Sequence, residues 1–504
     1  MVPIVLPEDI RAVDAWCYRD GGVKAHELME LASWGLTRAL VRELSVHGDT
    51  CTVLIVAGPG NNGGDGLCVA RQLHELRPDL TILVCDVASG GSVSELRSRA
   101  HHLLPAAVSV ITVEDLTPDL QIDVVVDAIM GIGGNEDLRD PIPNVLAALA
   151  QYQARVIALD VPTGLNCATG VAHAQTLHAD VTLTISAEKV GFWLCDGPSV
   201  TGRIVVVPVG VPDAEKTIAV TLERLTQSDL PMMLPARPRR YSKYDAGRVV
   251  VIGGTLSMPG APSMTAHAAL RSGAGLVHLV APRVHPLTPR EIIVHEVPCD
   301  VDGAIAACAY DQIASLVERA TVVAIGPGVG CNDTTLRMLA RVVDSIPDEV
   351  PVIIDADGLR LVPMLASLRS TMVLTPHRGE FARMVGCDVH SLGANPIAIA
   401  RDWCNRHSPI LHLKDTPSVT STDSRAVITV NGSSRMATAG SGDILTGIIA
   451  GIIAQGVVPF EGTALAAFVH AEAGSRAAGP HDHPIIATDM LAMIPEILAH
   501  SPSG

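Results

Sequence analysis

The chain has 504 residues, a formal charge of −17, 48% hydrophobic residues, and only 18% charged and 3% aromatic ones. Such a length exceeds what one core usually serves, so two domains are expected, and the acidic balance excludes a protein that grips nucleic acid or an anionic membrane by bulk electrostatics. The apolar content is mostly Ala, Val, Leu and Ile, the mixture that fills strands buried on both faces under small helices, which points to an α/β fold. Residues 1–20 hold no basic start followed by an apolar core segment, and the apolar stretch 444–454 is far too short to span a bilayer, so a cytoplasmic protein is expected. The 11 cysteines are scattered without a C-x-x-C pair, which signals neither a disulfide framework nor zinc; Cys68 and Cys85 read as small core residues.

Helical patterns at 7–19 and 24–46 come first. Short β-branched runs at 52–57, 81–85, 123–128, 155–160, 181–186 and 204–207 then alternate with helical patterns, the rhythm of a Rossmann-like, doubly wound parallel sheet. The rhythm stops at 225–247, where Pro231, Pro235 and Pro238 sit among Arg237, Arg239, Arg240 and Lys243. We expect a domain at 1–225, a linker at 226–247 and a second α/β domain at 248–504, whose strands fall at 248–252, 276–280, 321–325, 351–355, 371–375 and 410–413.

Two glycine-rich turns ending in aspartate stand at helix starts, at 58–66 and 439–443. Glycines let backbone approach a ligand, and the N–H groups and positive dipole end of a helix start favour phosphate. In the first half, Asn61–Asp65, Asp127, the loop 131–137 and Asp160 all fall at the carboxyl ends of predicted strands, where open α/β sheets bind ligands. Asn62, Asp127 and Thr163 offer hard oxygen ligands, suited to an alkali or alkaline-earth cation rather than zinc. Asp160 is then left for acid–base work. In the second half, the turn Gly440–Asp443 aims glycine N–H groups at an anion and the Asp443 carboxylate into the site, an arrangement that suits phosphoryl transfer to a hydroxyl.

The 58–66 turn, Asp127-Ala-Ile-Met-Gly131 and Asp160-Val-Pro-Thr-Gly164 resemble the NAD(P)H-hydrate epimerases of the YjeF N-terminal family, over roughly residues 8 to 210. The resemblance implies that Asn61, Asn62, Gly63, Gly64 and Asp65, with Gly131, Ile132, Gly133, Gly134, Asn135, Glu136 and Asp137, hold the hydrated nicotinamide nucleotide. It further implies that Asn62, Asp127 and Thr163 bind K+ and that Asp160 acts at the reacting end. Lys189 stands where this family usually has a lysine, and reads equally as an ordinary surface lysine. Ile132 replaces the family's Thr, and Ser33 replaces a Gly.

Gly253-Gly-Thr255, Met258-Pro-Gly-Ala261, Gly326-Pro-Gly328, Asp355-Ala-Asp357, Thr375-Pro-His377 and Lys414-Asp415 occur in the order seen in the ADP-dependent NAD(P)H-hydrate dehydratases, which have a ribokinase-like fold. By that resemblance Ala261, Gly328, His377 and Asp443 contact the hydrated nucleotide. Lys414, Asp415, Thr416, Pro417, Ser418 and Gly442 contact ADP, which comes with Mg2+. Arg378 and Asp415 depart from the family's Pro and Gly. The implied activity is repair of hydrated NADH and NADPH: epimerisation of R and S hydrates, then ADP-driven dehydration of the S form, by a homo-oligomer with no nucleic-acid or membrane partner. Two alternatives are a ribokinase-like kinase of a small alcohol with a regulatory N-terminal domain, and a non-catalytic nucleotide-sensing scaffold.

Overall fold

The computed structural model describes residues 1–45, 51–88, 93–134, 137–217 and 220–499. Residues 3–220 form one compact unit, and residues from 221 onward, together with 1–2, form another.

The first unit opens with β1 (Val2–Val5), helix Pro7–Arg19 and helix Ala25–Leu44. It continues through β2 (Thr52–Ala57), β3 (Thr81–Asp86), β4 (Ser109–Ile111), β5 (Val124–Ala128), β6 (Arg155–Leu159), β7 (Val181–Ile185), β8 (Glu188–Lys189) and β9 (Arg203–Val207). Seven of these strands make an all-parallel sheet in the order β4-β3-β2-β5-β6-β7-β9. The chain reverses its winding between β2 and β5, and such a switch point opens a crevice at the strands' carboxyl ends. Both sheet faces are covered. Leu36, Leu40 and Leu44, spaced one turn apart on helix Ala25–Leu44, are buried against one face, and Leu146 and Leu149 of helix Ile142–Leu149 against the other. Each such leucine stabilises by about 1.5–3 kcal/mol. The β-branched runs are buried throughout, as a doubly covered parallel sheet requires.

In the second unit, β10 (Leu222–Arg224), β11 (Arg248–Ile252), β12 (Leu276–Ala281), β13 (Ile293–Glu296), β14 (Val322–Ile325), β15 (Val352–Ile354), β16 (Met372–Leu374), β17 (Ile410–Leu413), β18 (Ser418–Ser421) and β19 (Ala426–Thr429) run in the order β13-β12-β11-β14-β15-β16-β17-β18-β19-β10. All pairs are parallel except β17–β18 and β18–β19. Of the stretch expected to be a linker, Leu230 is buried in this unit's core, and just before that stretch β10 pairs with β19 and Leu225 is buried in the same core. Arg237 donates to Gly273 O, so the first residue of the basic run is tied down. Among the described residues no helix is long and apolar enough to cross a membrane.

Helix Ser441–Ala454 crosses helix Gly260–Arg271 at very short range. A Cβ on Gly447 would lie 2.2 Å from Thr265 O, and one on Gly451 would lie 2.5 Å from Ala269 O. Gly447→Ala gains about 1 kcal/mol of helix propensity but overpacks a backbone contact, which costs about 1–3 kcal/mol. A lower urea midpoint for the second unit is therefore expected, and a higher one would deny the close crossing.

Candidate active sites

In the first unit, a cavity of about 360 Å³ opens at the switch point, lined by Asn61, Asn62, Asp65, Gly131, Ile132, Gly133 and Asp160 from the strand ends. Gly63 and Gly64 are buried and serve the turn itself, since a Cβ on Gly63 would meet Gly58 O at 2.0 Å. Gly134 packs against Met130, Asp137 is exposed, and Asn135 and Glu136 lie outside the described residues.

Asp160 follows β6 with φ +64°, a left-handed conformation that costs a non-glycine residue about 1–3 kcal/mol unless its surroundings enforce it. They do: its Oδ1 accepts hydrogen bonds from Lys189 Nζ at 2.7 Å and Ile185 N at 3.2 Å. Lys189 is 0% exposed and also donates to Thr184 Oγ1 at 2.6 Å and Ile185 O at 2.9 Å, so it belongs to the site rather than the surface. Its burial follows from β8, where Lys189 pairs with Val5 of β1. Sequence reasoning missed Asp14, on helix Pro7–Arg19, which also lines the cavity. No glycine motif marks it.

Two of the three expected cation ligands, Asp127 and Thr163, are bonded to each other, and Asn62 is bonded to the end of the neighbouring strand β6. Asp127 Oδ1 accepts from Thr163 Oγ1 at 2.6 Å and its Oδ2 from Thr163 N at 2.8 Å. Asn62 Nδ2 donates to Leu159 O at 3.1 Å, which leaves the buried Asn62 Oδ1 without a partner. A buried acceptor left unpaired is costly, and an alkali cation held by neutral and anionic oxygens would satisfy it. The residues fit K+.

In the second unit, Gly253–Thr255, Gly326–Gly328, Asp355, His377 and Lys414 all follow parallel strands at their carboxyl ends. Gly328 has φ +66°, and a Cβ there would lie 3.2 Å from the Ala261 Cβ, so these two expected substrate contacts are neighbours. Lys414 Nζ binds Asp355 Oδ1 at 2.7 Å and lies 3.8 Å from Glu380 Oε2. Thr446 Oγ1 donates to Asp355 Oδ2 at 2.7 Å. Gly440, at φ +89°, starts helix Ser441–Ala454, and a Cβ on Gly442 would sit 3.3 Å from Lys414 Nζ. The helix start therefore faces the lysine. Asp443, in the first turn, is pushed up to about 7 by burial and by the charges of Asp355 and Glu380, with Lys414 opposing. Asp355 stays below its ordinary value although burial works against it, because Lys414 prevails. The half-buried His470, which no sequence motif marks, places Nε2 2.9 Å from Ser441 O and braces the same turn. His377 caps helix Arg378–Val385: its Nδ1 accepts from Gly379 N and Glu380 N, while Glu380 accepts from His377 N.

Comparisons with known proteins identify the family. The family model described as NAD(P)H-hydrate dehydratase matches residues 249–496, and the one described as YjeF-related protein N-terminus matches residues 25–191. A bifunctional NAD(P)H-hydrate repair enzyme of Salinibacter ruber is 32% identical, covering 99% of this chain and 96% of its own; one from Moorella thermoacetica is 31% identical, covering 94% and 92%. The chain belongs to the family of bifunctional NAD(P)H-hydrate repair enzymes. Among solved structures, a ribokinase-like superfamily protein of Enterococcus faecalis is 27% identical with a TM-score of 0.49, covering 55% of this chain and 95% of its own.

Measured against the pattern of NAD(P)H-hydrate repair enzymes, the departures have partners. Arg378 Nη1 binds Asp415 Oδ2 at 2.6 Å and its Nη2 donates to Gly393 O, so the two unusual residues of the second site form one ion pair. Asp415 also accepts from Thr416 N, the start of the expected ADP loop through Pro417 and Ser418. In the first site Ser33 Oγ donates to Asp65 Oδ1 at 3.3 Å. Ile132 packs with the apolar residues beside the cavity.

A double-mutant cycle with Arg378→Ala and Asp415→Ala is expected to show a coupling of about 0.5–3 kcal/mol, read from urea unfolding of the second unit. Strictly additive losses would mean that the two charges are independent.

Proposed function

We propose that the first site interconverts the R and S forms of NADH and NADPH hydrated at C6, and that the second dehydrates the S form with ADP, giving NAD(P)H, AMP and phosphate. In the first site Asp160 takes the proton of the C6 hydroxyl, Lys189 fixes its orientation and charge, and Asn61, Asp65, Gly131 and Gly133 frame the nucleotide. Asn62, Asp127 and Thr163 would hold K+, which supplies fixed positive charge beside the bound nucleotide.

In the second site Asp443 takes the proton of the C6 hydroxyl as that oxygen attacks the terminal phosphorus of ADP. Lys414 and the N–H groups around Gly442 meet the phosphates, with Mg2+ accompanying ADP. Phosphate then departs with the C–O electrons while N1 forms a double bond to C6. Loss of a C5 proton restores the C5–C6 double bond. Ala261, Gly328 and His377 line the nicotinamide side.

The observation that carries this reading is the Asp443 carboxyl poised near neutrality at a glycine-framed helix start, beside the half-buried Lys414. The match to the YjeF-related model over residues 25–191 and the intact Asp160 and Asp443 disfavour a vitamin-type kinase and a scaffold without turnover. The absence of any disulfide among the described residues favours a reducing, cytoplasmic setting. The homo-oligomer remains a proposal for light scattering to decide.

Mixing the protein with hydrated NADH, with and without ADP, and following the return of reduced-nicotinamide absorbance tests the whole reading. Asp443→Asn is expected to abolish ADP-dependent dehydration, by on the order of 10²–10⁴ in rate, and to leave epimerisation intact. Asp160→Asn should do the reverse and strand the R form. A group raised to about 7 works as a base only when deprotonated, so dehydration should weaken as pH falls below about 7. A flat profile there would remove Asp443 as the base.

Binding to the folded state adds stability by mass action. Potassium should therefore raise the melting temperature of the full chain more than an equal concentration of tetramethylammonium, and Asn62→Ala should erase the difference. Equal melting in both salts for the unaltered chain would leave these oxygens as a polar crevice without a specific cation.

A further inference from the structure

Three carboxyl groups, Asp14, Asp65 and Asp160, line the first cavity, and the one ammonium group bonded there, Lys189, is fully committed. Its three N–H bonds go to Asp160 Oδ1, Thr184 Oγ1 and Ile185 O. A buried ammonium with every proton engaged is a poor proton courier. Asp65 is engaged by Ser33 Oγ. Asp14 lines the same cavity, is half-buried, and has no hydrogen-bond or ion-pair partner among the described residues.

Inverting C6 of the hydrated ring asks for two groups in opposite protonation states. A base removes the C6 hydroxyl proton, the O–H electrons form a C=O bond, and the C6–N1 bond breaks. Its electron pair passes to N1, which an acid must protonate. Rotation about C5–C6 presents the other face of the aldehyde. N1 attacks that face, each proton returns to its donor, and the opposite epimer results with no net change in the protein.

We propose that Asp14 is the second catalytic group of this site, the acid that protonates N1 while Asp160 acts as the base; this rests on the epimerase reading above. Asp160, bound to Lys189, is suited to the carboxylate role. Burial, then the charge of Asp160, raises the Asp14 carboxyl to about 6, with Lys189 opposing. The charged and titratable groups around it are Asp65, Asp160 and Lys189, with Arg11 and Tyr18 from its own helix. The acid form dominates below about pH 6 and falls to about a tenth at pH 7, so epimerisation should slow as pH rises through that range.

The test is exchange between separated R and S hydrates of NADH by the full chain without ADP, from pH 5 to 8.5, with spontaneous exchange subtracted. Asp14→Asn should lower the rate by on the order of 10²–10⁴ and remove the decline above pH 6. Asp14→Glu, which keeps a carboxyl, should restore the decline. Potassium-dependent melting retained in both variants would show that the first unit is folded. A wild-type rate and profile in Asp14→Asn overturns the proposal, as does an equal loss in the Asn and Glu variants with the decline intact. If Asp160→Asn also leaves exchange untouched, the epimerase reading itself is what fails.

Discussion

Each unit sets one lysine against one buried aspartate at 2.7 Å, Lys189 with Asp160 and Lys414 with Asp355, the first lysine fully buried and the second partly exposed. A buried ion pair persists only when its remaining protons and lone pairs are also met, because taking two charges out of water is expensive. The first pair satisfies that condition through Thr184 and the Ile185 carbonyl; in the second, Thr446 meets the Asp355 carboxylate while Lys414, 22% exposed, keeps access to water. The consequence is a shortage of positive charge. One carboxylate in each site has its counter-ion, and the others, Asp14 and Asp65 in one and Asp443 in the other, are left holding protons more tightly than carboxyls usually do. Burial first, and the neighbouring carboxylates second, raise these groups, with Lys189 opposing at Asp14 and Lys414 at Asp443.

The parallel frame was readable because strands buried on both faces must be apolar along their whole length, and runs such as Thr52–Ala57 and Arg248–Ile252 announce that directly. The strand-end residues were readable for a related reason: glycines and aspartates directly after such runs have few structural uses. The burial of Lys189 was not readable, since it depends on the two-residue strand β8 meeting β1 from the opposite end of the unit. Arg378 and Asp415 looked like two separate losses of family character, and only the loops that bring residues 37 apart together turn them into a pair.

The stretch 226–247 shows a different limit. Its prolines and arginines describe a segment that buries little, and most of it does; Leu230 nonetheless reaches a core assembled from distant strands, as does Leu225 just before it. Strands β18 and β19 escaped notice because they are short and joined by antiparallel turns at the side of a sheet whose signal is parallel. Local composition reports local burial, and long-range pairing is invisible to it.

The helix cap made by His377 also decides its tautomer. With Nδ1 accepting two backbone N–H groups, the neutral ring carries its proton on Nε2. That Nε2 lies 3.5 Å from Glu380 Oε1, so the carboxylate that closes the cap also faces the ring's remaining donor; a backbone device that ends one loop and begins one helix thereby orients both ends of the imidazole.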